Sequence, residues 1–169
     1  MKYAMLFIMA ATTMFTACAQ ENKPVASPPA TVSETISSGA TVTIDYGQPS
    51  VKGRTIGKDL EPKAGMVWRT GANKATTFEV SQDVTINGMP LPKGKYGFFT
   101  LVDGDEWTLI FNKTSDQWGA FKYKKEDDVL RVTTKGGKGT FSEKLMFTIA
   151  KDGIVTISWG DSKVDFTVK

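Results

Sequence analysis

The chain has no histidine, and in 169 residues it has a single cysteine, Cys18. Without an imidazole, neither a Ser-His-Asp triad nor a histidine general base can be assembled. Zinc sites built from His and Cys are excluded with them, and one thiol cannot close an internal disulfide. Stability must therefore come from a hydrophobic core. Strong charge of either sign is also missing, because the formal net charge is only +3. The densest basic run, Lys122, Lys124 and Lys125, is followed at once by Glu126, Asp127 and Asp128, which argues against nucleic acid as a partner and reads as a solvated turn. Carboxylate chemistry, a lysine-activated nucleophile and calcium held by oxygen ligands stay open.

Long hydrophobic runs are scarce as well. Tyr3 to Phe15 is uncharged and apolar but falls short of the ~20 residues that a membrane-spanning helix needs. Lys2 precedes it, and the small residues Thr16, Ala17, Cys18 and Ala19 follow, so residues 1–18 read as a signal peptide. Two cleavage readings remain. Phe15-Thr16-Ala17-Cys18 resembles the lipobox of bacterial lipoproteins, in which Cys18 would carry the lipid. Alternatively, Ala17-Cys18-Ala19 is a small-x-small site cut after Ala19. The expected location is extracytoplasmic: periplasm or outer membrane if lipidated, secreted if cleaved after Ala19. The membrane would then be met only through a lipid anchor at Cys18.

Residues 19–30 are polar and contain Pro24, Pro28 and Pro29, the composition of a flexible tether. From 31 to 169 the apolar residues alternate: Val42, Ile44, Tyr46; Leu145, Phe147, Ile149; Val164, Phe166, Val168. Period two predicts strands. Asn87-Gly88, Asp103-Gly104, Asp152-Gly153 and Gly160-Asp161 supply turn signals between them. The arms around Asp103-Gly104 are apolar at nearly every position from Tyr96 to Phe111, which predicts a hairpin buried on both faces. Asp116 to Lys125 has room for one helical turn. The expected fold is all-β, a single-domain antiparallel β-sandwich.

Only three arginines occur, and two of them, Arg54 and Arg69, stand in glycine-flanked polar stretches. A guanidinium fork suits carboxylate or phosphate, and glycine lets a backbone approach a ligand closely. Lys52, Arg54, Arg69, Asn73 and Trp118 are therefore the candidate ligand-binding residues. The plainer alternative is that both arginines hold loop carbonyls or buried carboxylates. Of the four tryptophans, Trp107 and Trp159 fall in strand patterns and Trp118 in a loop pattern, so Trp118 is the one expected at the surface. The carboxylates of Asp103, Asp105 and Glu106, and of Glu126, Asp127 and Asp128, match no calcium-loop pattern and read as hairpin-tip solubility.

Four strings, Tyr46-Gly47-Gln48-Pro49-Ser50-Val51-Lys52-Gly53-Arg54, Val67-Trp68-Arg69-Thr70-Gly71-Ala72-Asn73, Pro92-Lys93-Gly94-Lys95-Tyr96 and Gln117-Trp118-Gly119-Ala120, resemble in order and spacing the signatures of domain of unknown function 2911. The resemblance covers about residues 27 to 169. It implies an exported protein or lipoprotein of gram-negative type with one β-rich domain, and it transfers no catalytic residue. The functional expectation is a non-catalytic envelope protein that binds a small ligand, glycan or partner protein and needs no cofactor or metal. The alternatives are a carboxylate-dependent hydrolase of cell-surface carbohydrate and a purely structural envelope protein.

Overall fold

The computed structural model describes residues 25–169. The signal peptide, Cys18 and the first part of the tether lie outside the described residues. Ten strands run along the chain: β1 (Pro29–Thr35), β2 (Thr41–Gly47), β3 (Val67–Trp68), β4 (Thr76–Val80), β5 (Val84–Ile86), β6 (Met89–Leu91), β7 (Gly94–Asp103), β8 (Glu106–Asn112), β9 (Asp128–Ile149) and β10 (Ile154–Thr167). The fold is all-β, antiparallel and a single domain. The one helical piece among the described residues is a 3-10 turn at Lys125–Asp127. β1 opens at Pro29, so Pro29 and Ala30 at the end of the Pro-rich stretch already pair with β2.

The main sheet runs β1-β2-β4-β7-β8-β9-β10, with β3 also hydrogen-bonded to β7, and it curls into a half-barrel; β5 and β6 form a separate hairpin. β9 produces the curl, because its first third pairs with β8 and its remainder with β10. The chain makes this crossing at glycines for a steric reason: a β-carbon on Gly136 would lie 2.5 Å from the Trp107 indole nitrogen. The back edge of β9 meets the segment that follows β2, where Val51 N donates to the Glu143 carbonyl at 2.8 Å and Leu145 N to that of Pro49 at 3.0 Å. The two layers expected of a sandwich are thus parts of one bent sheet.

Alternation puts Val42, Ile44 and Tyr46 of β2 on the inner face, opposite Phe147, Ile157 and Phe166 from the far side of the curl. Phe98 is the hub of this core, with ring centroids 5.2 Å from Phe111, 5.8 Å from Phe78 and 6.0 Å from Phe166. β7 and β8 are covered on their outer face too. There Phe99, Ile110 and Ala75 form a second cluster beneath Ala120 and Tyr123, which accounts for the near-continuous apolar run of this hairpin.

Two sequence readings need correction. Gly160-Asp161 is not a hairpin turn. Gly160 sits inside β10 with φ +57°, at a register shift against β9, so its glycine marks a bulge. Nor is the acidic run at 126–128 merely solvated. The Asp128 side chain is nearly buried and accepts hydrogen bonds from Arg131, Tyr123 and Asn112 at 2.7, 2.6 and 2.9 Å. A charge pattern along the sequence does not show which carboxylate turns inward to meet an arginine three residues away.

Candidate functional site

The loop strings fold by way of unusual backbone. Thr70 takes φ +49° and Asn73 φ +65°, so the chain turns sharply twice between β3 and β4. The turn is held from inside: Thr70 Oγ1 bonds Thr100 Oγ1 at 3.1 Å, Thr76 Oγ1 donates to the Thr70 carbonyl at 2.9 Å, and the Trp68 indole donates to the Gly71 carbonyl at 3.2 Å. Asn73 then connects three segments. Its side-chain amide donates to the Ser27 carbonyl at 3.1 Å, and its backbone carbonyl accepts from Gly119 N at 3.0 Å.

This turn forms one wall of an open groove of about 720 Å³. The rest of the lining comes from the segment at 25–31, the end of β2, Thr77 of β4, Lys95 of β7 and residues 115–116. Apolar side chains, among them Val25, Pro29, Ala30, Ala72 and Ala75, dominate its surface. The polar part is a cross-strand row. Thr31, Asp45 and Thr77 occupy paired register positions on β1, β2 and β4. Asp45 accepts from Thr31 at 2.7 Å, Thr77 at 3.3 Å and Lys95 Nζ at 3.2 Å. Burial alone would raise the Asp45 carboxyl, but these hydrogen bonds and the Lys95 charge hold it below its ordinary value. Lys95 also approaches Glu79 at 3.5 Å, and at the other end of the groove Lys74 pairs with Asp116 at 3.1 Å.

The five residues singled out from the sequence do not share one surface. Lys52 and Arg54 belong to the turn after β2. Lys52 takes φ +48°, and its backbone amide donates to Glu143 Oε1 at 2.8 Å. The Arg54 guanidinium donates to the carbonyls of Ser50 at 2.7 Å and Val51 at 3.1 Å and so fastens its own turn. Asn73 lines the groove. Arg69 and Trp118 lie beyond it, where Trp118 forms a β-bridge with Lys74 and is 62% exposed. The half-buried Arg69 guanidinium is lowered from its ordinary value by burial, with Glu61 acting in the opposite direction.

Asp45 and Lys95 escaped the sequence reading because each occupies an ordinary polar position in an alternating strand. The available signal was the lining-up of hydroxyls and a carboxylate across three strands, which requires the strand order to be known. No cluster of three His, Cys, Asp or Glu side chains suited to a metal occurs among the described residues.

A family model described as protein of unknown function (DUF2911) matches residues 27–168. The chain belongs to the DUF2911 family. Comparison with the curated proteins and with the solved structures finds no match. The DUF2911 match begins at Ser27, the residue whose carbonyl receives the Asn73 amide. Three of the four family-like strings contribute to the groove, through Tyr46 and Gly47, Ala72 and Asn73, and Lys95. In the fourth, Gly119 lies against Arg69.

Proposed function

We propose that this protein is a non-catalytic binding module of the cell envelope, exported by its N-terminal signal and holding a neutral, partly apolar ligand such as a short glycan in the groove beside Asp45 and Lys95. The groove itself carries this reading. Its volume lies within the range of small-molecule sites, and its mostly apolar lining is broken by a few fixed polar groups, the composition that orients a ligand. Its rim charges neutralise each other as Lys95 with Asp45 and Lys74 with Asp116, so a ligand need bring no net charge. A hydrolase acting through carboxylates needs one acid kept protonated near neutral pH. Asp45 is instead held well ionised, and Asp116 is committed to Lys74.

The test is a thermal-shift screen of the mature chain against neutral glycan fragments and small hydroxylated apolar compounds, with Thr31→Trp, on the Asp45 face of β1, filling the groove. A true ligand at 100 times its dissociation constant adds about 2.7 kcal/mol of stability. A shift seen in the wild type and lost in a folded Thr31→Trp protein supports the reading. A shift of equal size in both proteins removes the ligand from the groove.

A further inference from the structure

The three arginines differ in what their guanidinium groups hold. Arg131 is engaged by Asp128, and Arg54 by two carbonyls of its own turn. Arg69 donates no hydrogen bond and makes no ion pair among the described residues, and its Nε is buried with no partner. Its closest electrostatic influence, Glu61, already accepts from the backbone amide of Lys63. Folded proteins seldom leave a buried charged donor unmet, because its desolvation is then uncompensated. One other buried side-chain atom among the described residues lacks a partner: Oε1 of Gln117, two residues from Gly119. The two orphans therefore come from the 67–73 and 117–120 strings.

Gly119 shapes this corner. It takes φ +66°, and a β-carbon there would lie 3.7 Å from an Arg69 terminal nitrogen and 3.0 Å from the Phe121 ring. The missing side chain lets the Phe121 ring lie against the backbone of residue 119, with the Arg69 terminal nitrogen close by. Phe121 is 86% exposed and Trp118 62% exposed, the two most exposed aromatic rings among the described residues. None of Arg69, Trp118, Gly119 and Phe121 lines the groove.

The geometry points to a second binding site here, one that takes a carboxylate carried on a six-membered ring. The Arg69 fork receives both carboxylate oxygens, a planar match that an ammonium cannot offer. Phe121 and Trp118 supply apolar surface for the ring, which aromatic acids and acidic sugars both present. The site is independent of the groove and of whatever ligand the groove holds.

It is tested on the isotope-labelled mature chain by following the Arg69 Nε–H and Gly119 amide resonances during titration with benzoate, glucuronate and inorganic phosphate. Both resonances should move saturably with at least one of the ring acids, and phosphate should bind more weakly. Arg69→Lys, which keeps the charge but loses the fork, should weaken binding about tenfold. Phe121→Ala, at a position too exposed to threaten folding, should weaken it about threefold, and the groove-filling Thr31→Trp should leave it unchanged. Saturation by benzoate alone assigns an aromatic acid, and saturation by glucuronate alone an acidic sugar. No movement with any of the three, equal affinity for phosphate and the ring acids, or binding indifferent to both Arg69→Lys and Phe121→Ala would overturn the proposal.

Discussion

Gly47 and Ala72 are packed backbone against backbone: Ala72 N donates to the Gly47 carbonyl at 3.2 Å, and a β-carbon placed on Gly47 would run into the Ala72 carbonyl. The end of β2 and the turn between β3 and β4 can lie this close only because residue 47 has no side chain. Gly47→Ala should therefore cost about 2–4 kcal/mol, since the clash is with backbone and cannot be relieved by a rotamer change. Gly137→Ala is the matched control, at a position where a β-carbon meets nothing within 4 Å, and it should change stability by less than about 0.5 kcal/mol. Urea denaturation midpoints of the two variants decide the matter, and equal midpoints would mean that the contact gives way cheaply.

Trp159 ties the long excursion between β2 and β3 to the sheet. It is 1% exposed, and its indole donates to the Glu61 carbonyl at 2.7 Å. Trp159→Phe keeps most of the apolar volume but removes the donor, so a loss of about 1–3 kcal/mol is expected. The loss should be local in character. Gly57 and Leu60, whose amides bond within the excursion, should exchange hydrogen faster, while Phe98 and Phe111 in the sheet keep their protection. Uniformly faster exchange across the domain would show that the indole supports the core as a whole.

Strand placement was legible in the sequence because period-two alternation is a local property. Val42-Ile44-Tyr46 and Val164-Phe166-Val168 bury the residues that the pattern says they should. The doubly covered 96–111 hairpin was legible for the same reason, since no polar face interrupts it. Gly160 misled because glycine followed by aspartate signals a turn and a bulge alike, and only the pairing with β9 separates them. Arg54 and Arg69 looked equivalent in sequence. They differ because the turn after β2 brings two carbonyls under Arg54, whereas no hydrogen-bond acceptor among the described residues is brought to the Arg69 Nε. The groove was the least legible feature. Asp45, Thr77 and Lys95 come from strands up to fifty residues apart in sequence, joined by a register that no single segment encodes.

The absence of histidine should be visible in the pH dependence of stability. The carboxyls of Asp45, Asp127 and Asp165 lie below their ordinary value: burial is outweighed at Asp45 by bonds from Thr31 and Lys95, and at Asp165 by bonds from Thr156 and Lys163, while Lys113 acts first at Asp127. Depressed carboxylates stabilise the fold above their unfolded value of about 3.9, and this contribution is lost as pH falls through the lower folded values. Tyr123 is shifted the other way, to about 12, by burial and by its bond to Asp128. A raised phenol stabilises fully below its unfolded value of about 10 and loses that contribution as pH climbs towards 12. The urea midpoint should therefore stay flat from about pH 5 to 9 and fall on both sides. Tyr123→Phe should remove the highest step of the phenolate absorbance titration and soften the alkaline fall. An inflection between pH 6 and 7 would contradict this assignment, because the chain has no histidine to titrate there.

Cys18 decides whether the groove works beside a membrane. If the cysteine is lipidated, cells fed labelled fatty acid should label the wild type, and Cys18→Ala should abolish the labelling. If the chain is instead cut after Ala19, the mature protein begins at unmodified Gln20 and neither form is labelled. The distinction has a geometric consequence. Ser27 is fixed to the domain through Asn73, so a lipid on Cys18 leaves eight intervening residues, which span at most roughly 30 Å when fully extended. Val25 and Ser27 line the groove, and a lipidated protein would therefore hold that site within reach of the bilayer surface at all times. A ligand produced or displayed at the membrane would then be met at high effective concentration, an advantage that release after Ala19 would forfeit.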